Sequence, residues 1–196
     1  MKLLREVATF DYDKPIVNPN GTMVLKGIIQ RADTVNANGR VYPRHILIQK
    51  LKDYQKLIDE DRAFGELDHS PEPIVHMKNA SHRITEIWME GNVVWGKVLV
   101  LNTPNGNIVK AIIESGGRPG ISSRALGDLM ESSDGINIVQ DNLQLVCWDF
   151  VSEPSTPGAF MMKESKEYTL EEVKRLQHLA TPKVERVEKA LAALLE

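Results

Sequence analysis

The spacing of apolar and polar positions changes several times along this chain, and each change predicts an element. Met23 to Gln30 is rich in apolar and branched residues and predicts a strand. The turn signal Asn36-Ala37-Asn38-Gly39 follows. Tyr42-Pro43 then opens a helix running through Ile58, because Ile46, Leu47, Leu51, Tyr54 and Leu57 fall at helical spacing. Residues 59–64 are charged and read as loop, and Gly65 to Pro73 reads mostly as loop. Ser81 to Glu90 and Asn92 to Leu101 predict two strands around the hairpin turn Glu90-Gly91-Asn92, flanked by Trp88 and Trp95. Asn105 to Ser115 predicts a helix stopped by Gly116-Gly117, and Pro119 to Leu126 predicts a further strand. Ile136 to Val139 and Leu143 to Val151 predict a pair joined through Gln140-Asp141-Asn142, ended by Pro154 and Pro157. Residues 1–21, broken by Pro15, Asn18, Pro19, Asn20 and Gly21, predict an irregular arm.

After Met162 the pattern becomes helical throughout. Lys, Glu, Leu and Ala dominate and glycine vanishes. Thr169-Leu170-Glu171-Glu172 forms a capping box, with Thr169 as N-cap, for a helix reaching Ala180. Thr181-Pro182 starts another, with Val184, Val187, Leu191 and Leu194 along one side. The expected organisation is α+β: a core domain at 1–160 and a helical tail at 161–196.

Composition narrows the class. At 196 residues and 42% apolar, the chain can bury a core without disulfide staples. Cys147 is the only cysteine, which excludes an internal disulfide and a multi-cysteine zinc site, fits a reducing compartment, and reads as a small core hydrophobe. A net charge of -3 with interspersed signs argues against nucleic acid as a partner. The N-terminus lacks a long apolar run, and no stretch approaches the roughly 18 apolar residues of a membrane span. The chain therefore reads as soluble and non-secreted.

The candidate chemistry lies in two segments. Gly65-Glu66-Leu67-Asp68-His69-Ser70-Pro71 sets an imidazole near a chain reversal, where its ordinary pKa of about 6.5 suits a general base. The same segment also fits a surface histidine capping a turn. Gly120-Ile121-Ser122-Ser123-Arg124 offers two serines on a strand. Ser122 and Arg124 share one face and Ile121, Ser123 and Ala125 the other, so only one serine can meet His69. The preceding Gly116-Gly117-Arg118-Pro119-Gly120 could present amides to an oxyanion or simply form a turn. Asp149, in the apolar run Leu145 to Val151, either pairs with a histidine or faces water from an edge strand. Asp68 adjoins His69, and neighbouring side chains diverge, so it is not the expected orienting carboxylate. His69, His76 and His82 do not have a recognised metal spacing, and His82 is the reserve for a third catalytic member.

Together these segments resemble the prohead core protein proteases of T-even-type bacteriophages. The resemblance rests on Arg40-Val41-Tyr42-Pro43 before a helix, Gly65 to Pro71, the Trp88–Gly91–Val94–Gly96 hairpin, and Pro119-Gly120-Ile121-Ser122-Ser123-Arg124-Ala125-Leu126-Gly127, in that order over roughly residues 25–160. It implies a serine endopeptidase related in fold to herpesvirus assemblins, with a closed β-barrel core wrapped by helices. It implies action inside the immature capsid, in the host cytoplasm, on scaffold and core proteins, on the major capsid protein and on itself, after Glu in aliphatic-x-Glu sequences. Carried over by motif, His69 is the base and Ser122 the nucleophile. Arg124 supports the site or its oxyanion, with Gly120 and Ser123 beside it. Assemblins use a second histidine as third member, where this chain offers Asp149. Asp68 stands where the family often has Asn, and Ser70-Pro71 replaces a direct His-Pro. Arg118 and Arg44 are the cations considered for the substrate Glu. No metal or cofactor is expected, and homo-oligomerisation stays open. Leu194-Leu195-Glu196, Leu170-Glu171-Glu172 and, more loosely, Met162-Lys163-Glu164 fit the cleavage pattern and are expected self-processing sites. The competing readings are a non-catalytic β-barrel assembly protein, scaffold or tail-tube-like, and a metal hydrolase built on the three histidines.

Overall fold

The structure, a computed structural model, describes residues 2–8, 16–17, 23–153 and 156. Strands β1 (Lys2–Ala8), β2 (Ile16–Val17), β3 (Met23–Arg31) and β4 (Arg40–Val41) precede helix α1 (Arg44–Asp59). Then come β5 (Phe64–Glu66), a 3-10 turn (Met77–Asn79), β6 (Ala80–Glu90), β7 (Val93–Val100) and helix α2 (Pro104–Glu114). The described part ends with β8 (Gly120–Gly127), β9 (Leu129–Glu131), β10 (Asn137–Val139) and β11 (Gln144–Val151). It is α+β, mostly strand.

The largest sheet has the order β2-β3-β7-β6-β5, the second β1-β8-β11 and the third β4-β10-β9. β7 shows why the first sheet forms where it does. Val94, Gly96, Val98 and Val100 point inward and are buried, alternating with more exposed neighbours, as a pleated strand with one covered face requires. Gly91 supplies the positive φ of +58° that the tight β6–β7 turn needs. Helix α1 buries Ile46, Leu47, Leu51, Tyr54 and Ile58. The apolar stripe ends on Ile58 rather than Leu57, which is only partly buried against the core. Helix α2 starts one residue earlier than its pattern predicts. Thr103 caps it by accepting the Gly106 N–H at 3.1 Å, and Pro104 takes the first helical position, where no N–H is needed.

Four expectations change. The core is not a closed barrel among the described residues. β1 and β11 occupy both edges of β8, and β2 and β7 both edges of β3. The first two sheets meet through a single parallel bridge, Leu67 to Phe150, so no continuous ladder closes. The N-terminal arm is not wholly irregular, because Lys2–Ala8 pairs along β8 from Lys2 opposite Gly127 to Ala8 opposite Ile121. The segment read as loop from Gly65 begins as strand, with Phe64–Glu66 paired to β6. β10 and β11 do not pair with each other. β10 joins β4 and β9, whereas β11 joins β8. Apart from the local β9–β10 pair, these partners lie elsewhere in the sequence, and local periodicity carries no information about them. The helical tail at 161–196 and its self-processing sites lie outside the described residues.

Where β5, β6 and β11 converge there is no room for a side chain at Gly65. A Cβ there would sit 2.0 Å from the Trp148 carbonyl oxygen and 2.4 Å from His82 Nε2. Gly65→Ala is expected to destabilise the protein by about 1–3 kcal/mol, read as a lower denaturant midpoint at unchanged slope. An unchanged midpoint would contradict this packing.

Candidate active site

The site is built on the register of β8 against β11. Ser122 lies opposite Asp149 and Arg124 opposite Cys147, so all four side chains emerge on one face. The opposite face carries Ile121, Ala125, Trp148 and Phe150 into the hydrophobic core. Ser123 goes with them. Its hydroxyl is buried there without a hydrogen-bond partner.

His69 arrives over this face because of a backbone reversal. Asp68 has φ +63°, a left-handed conformation that Asp tolerates better than most residues. Its N–H donates to the Phe150 carbonyl at 2.8 Å, tying the reversal to β11. The imidazole then lies between Asp149 and Ser122. Nδ1 is 2.8 Å from Asp149 Oδ2, and Nε2 is 2.5 Å from Ser122 Oγ. An ionised carboxylate only accepts, so Nδ1–H donates to Asp149 and the bare Nε2 accepts the serine O–H. That is the tautomer a base needs to deprotonate Ser122. Ser122 and Asp149 are fully buried, while the His69 side chain keeps 13% exposure beside a cavity of about 310 Å³.

Asp149 is held from all sides. Arg124 grips it through both oxygens, Nε to Oδ2 at 3.0 Å and Nη2 to Oδ1 at 3.1 Å. The Glu66 N–H donates to Oδ1 at 2.9 Å, and the Cys147 thiol lies 3.2 Å from the same oxygen. Burial alone would raise this carboxyl's pKa. The His69 hydrogen bond, the Arg124 charge and the Glu66 N–H outweigh it and hold the pKa below the ordinary value. The other Arg124 N–H groups are also committed. Nη1 donates to the carbonyls of Glu72 and Ile74, both at 2.8 Å, and Nη2 to Cys147 Sγ at 3.2 Å. Nη2 also lies 3.4 Å from the buried carboxylate of Glu66.

Comparisons with known proteins point to one family. The family model described as prohead core protein serine protease matches residues 11–172. The prohead core protein protease of Enterobacteria phage T4 is 36% identical over 143 residues, covering 71% of this chain and 68% of that protein. The solved structure of the bacteriophage T4 capsid assembly protease superposes with a TM-score of 0.73 at 30% identity, covering 78% of this chain and 98% of that one. The chain belongs to the prohead core protein serine protease family.

In this prohead core protease the remaining candidates fall elsewhere. Gly120 starts β8 opposite Val151, at the end of the serine strand. The Gly116 and Gly117 amides take the turn alternative, bonding the carbonyls of Ile113 and Ile112 at the end of α2. Arg44 donates to the Gly91 carbonyl, at the opposite end of β6 from Glu66. The three histidines face different partners. His76 pairs with Glu66 and Glu72. His82 donates from Nε2 to the Trp148 carbonyl at 3.0 Å, accepts from Ser81 Oγ at Nδ1, and packs on Phe150. His82 is therefore committed to Ser81, Trp148 and Phe150, while Asp149 is the group that bonds His69 Nδ1. The sequence reading missed Glu66 and the polar role of Cys147. The signal for Glu66 was a carboxylate inside the histidine motif itself, two residues before the reversal. For Cys147 there was none, since a thiol among apolar residues looks like any small core residue. Burial, with the Asp149 charge, raises its pKa, so the thiol stays protonated and can donate to Asp149.

His82 gives a pH signature. Burial pushes its pKa down to about 4, only partly offset by Asp149 and the Trp148 carbonyl. The folded protein keeps it neutral where the unfolded chain, titrating near 6.5, takes up a proton. Its contribution to stability is thus complete above about pH 6.5 and is lost as pH falls toward 4, a change of about 3 kcal/mol. Asp149, with its depressed pKa, loses its contribution only below the ordinary carboxylate value of 3.8. Denaturant midpoints between pH 7 and 4.5 are expected to fall steeply in the wild type and less steeply in His82→Gln. Parallel slopes would contradict this assignment.

Proposed function

We propose that this protease uses Ser122 as its nucleophile, His69 as general base and acid, and Asp149 as the orienting carboxylate. Ser122 Oγ attacks the scissile carbonyl carbon while its proton passes to His69 Nε2. The imidazolium so formed is stabilised by Asp149 through Nδ1–H. Nε2 then protonates the leaving amine, and the acyl-enzyme is released by water deprotonated at the same nitrogen. Ser122 has no exposed surface in this structure, so a substrate reaches it only when the covering chain gives way. The observation that carries the reading is the continuous Ser122–His69–Asp149 line, with the tautomer set by the carboxylate. A non-catalytic assembly protein of the same fold has no use for that line.

The family and the T4 relatives support a role in phage prohead and capsid assembly; action inside the immature capsid in the host cytoplasm, on scaffold, core and capsid proteins, rests on the motif resemblance. Cleavage after Glu in aliphatic-x-Glu sequences, and self-cleavage in the tail, rest on the motif resemblance. Mass spectrometry of the protein incubated with Leu-Leu-Glu-x peptides tests both parts. We expect cuts after Glu that fall by at least ~10³-fold in Ser122→Ala and persist in Ser123→Ala. Loss in Ser123→Ala alone would overturn the nucleophile assignment, and cuts away from Glu would overturn the specificity.

A further inference from the structure

The charged groups beneath His69 do not balance. Among the described side chains Arg124 is the one buried cation, and it meets two carboxylates, Asp149 by a bidentate pair and Glu66 at 3.4 Å. Glu66 is 1% exposed, and its partners are all donors. The His76 backbone N–H reaches Oε1 at 2.5 Å and the Asn79 side-chain amide reaches Oε2 at 3.3 Å. Such an environment suits an acceptor-only, ionised carboxylate. Two carboxylates and one guanidinium leave one negative charge between two imidazoles, His76 with Nδ1 3.3 Å from Glu66 Oε1 and His69 with Nδ1 2.8 Å from Asp149 Oδ2.

Resting on the proposed protease reading, we infer that Glu66 is a positioning residue that shares Arg124 with Asp149 and so keeps Asp149 effective toward the His69 imidazolium. Without Glu66, the full guanidinium charge would bear on Asp149. The carboxylate would stay fixed in place, but the field favouring a positive His69 would weaken. Glu66 also joins the two halves of the device. Its backbone N–H holds Asp149, and its side chain holds the segment from His76 to Asn79. Among the described side chains, the other charged or titratable groups facing His69 and Glu66 are Asp149, Arg124 and Cys147 from the strands, neighbouring Asp68, and Glu72, His76 and Lys78 from the following segment. Of these, His76 contacts Glu66 and titrates with it.

The test is a site-resolved NMR titration of His69 in the full chain, with Ser122→Ala in every sample to prevent self-cleavage. His76 touches Glu66 directly, and its resonance is followed separately. In Glu66→Gln the His69 midpoint is expected to fall by about one pH unit, and in Glu66→Asp to return most of the way. In the cleaving enzyme, Glu66→Gln is expected to move the acid limb of kcat/KM down by the same amount and lower kcat about tenfold at unchanged KM. A His69 midpoint that does not move in a folded Glu66→Gln protein would overturn the proposal, as would a Glu66→Asp midpoint displaced as far as that of Gln. If Glu66→Gln does not fold, Glu66→Met, close in volume and uncharged, carries the same comparison. A wild type that cleaves nothing would overturn the protease reading beneath, while the His69 midpoint would still decide the coupling.

Discussion

The site depends on one buried ion pair, the bidentate grip of Arg124 on Asp149. Both side chains are fully buried, and removing water from either charge is expensive unless it is fully partnered. The cost is met by saturation. Asp149 receives His69, Arg124, the Glu66 amide and the Cys147 thiol, and each N–H of Arg124 has an acceptor. Breaking a pair of this kind by deleting one partner leaves the other charge uncompensated, typically at about 3–5 kcal/mol. The pair therefore ties together stability and chemistry. It fixes Asp149, which fixes the His69 tautomer, which aims Nε2 at Ser122. It also draws in the Glu72–Ile74 backbone, so the segment after His69 is anchored by the same guanidinium.

The strands that carry this pair explain how one short motif serves two purposes. Along β8, Ser122 and Arg124 alternate with Ile121, Ser123 and Ala125. Along β11, Cys147 and Asp149 alternate with Trp148 and Phe150. One face of the ribbon is core and the other is a charged cluster, and both are buried. A one-residue slip would place Asp149 in the apolar core and Trp148 among the charges, so the register is defended from both sides. The geometry of the proposed triad thus inherits its precision from hydrophobic packing on the reverse face.

Much of this was legible in the sequence. The β6–β7 hairpin, both helices and the serine strand follow from periodicity and glycine turns, all local signals. The choice of Ser122 over Ser123 comes with the motif resemblance; alternation says only that one of them can meet His69, and the β8–β11 register sets Ser122 opposite Asp149. What could not be read depended on distant partners. The pairing of Lys2–Ala8 with β8, the separation of β10 from β11 and the failure of the sheets to close are tertiary facts with no local signature. The same holds for Arg124. The resemblance leaves it to support the site or its oxyanion, and only the positions of Asp149, Glu72 and Ile74 show that its N–H groups are directed into the protein.

The most direct test of the account is the rate at which a serine-reactive fluorophosphonate labels the protein, with the adduct mapped by mass spectrometry in the wild type and in Asp149→Asn. The account predicts a single adduct on Ser122 in the wild type and labelling slowed by ~10³-fold or more in the variant, where His69 no longer has a carboxylate to set its tautomer. An adduct on Ser123, or equal labelling in the two proteins, would contradict it.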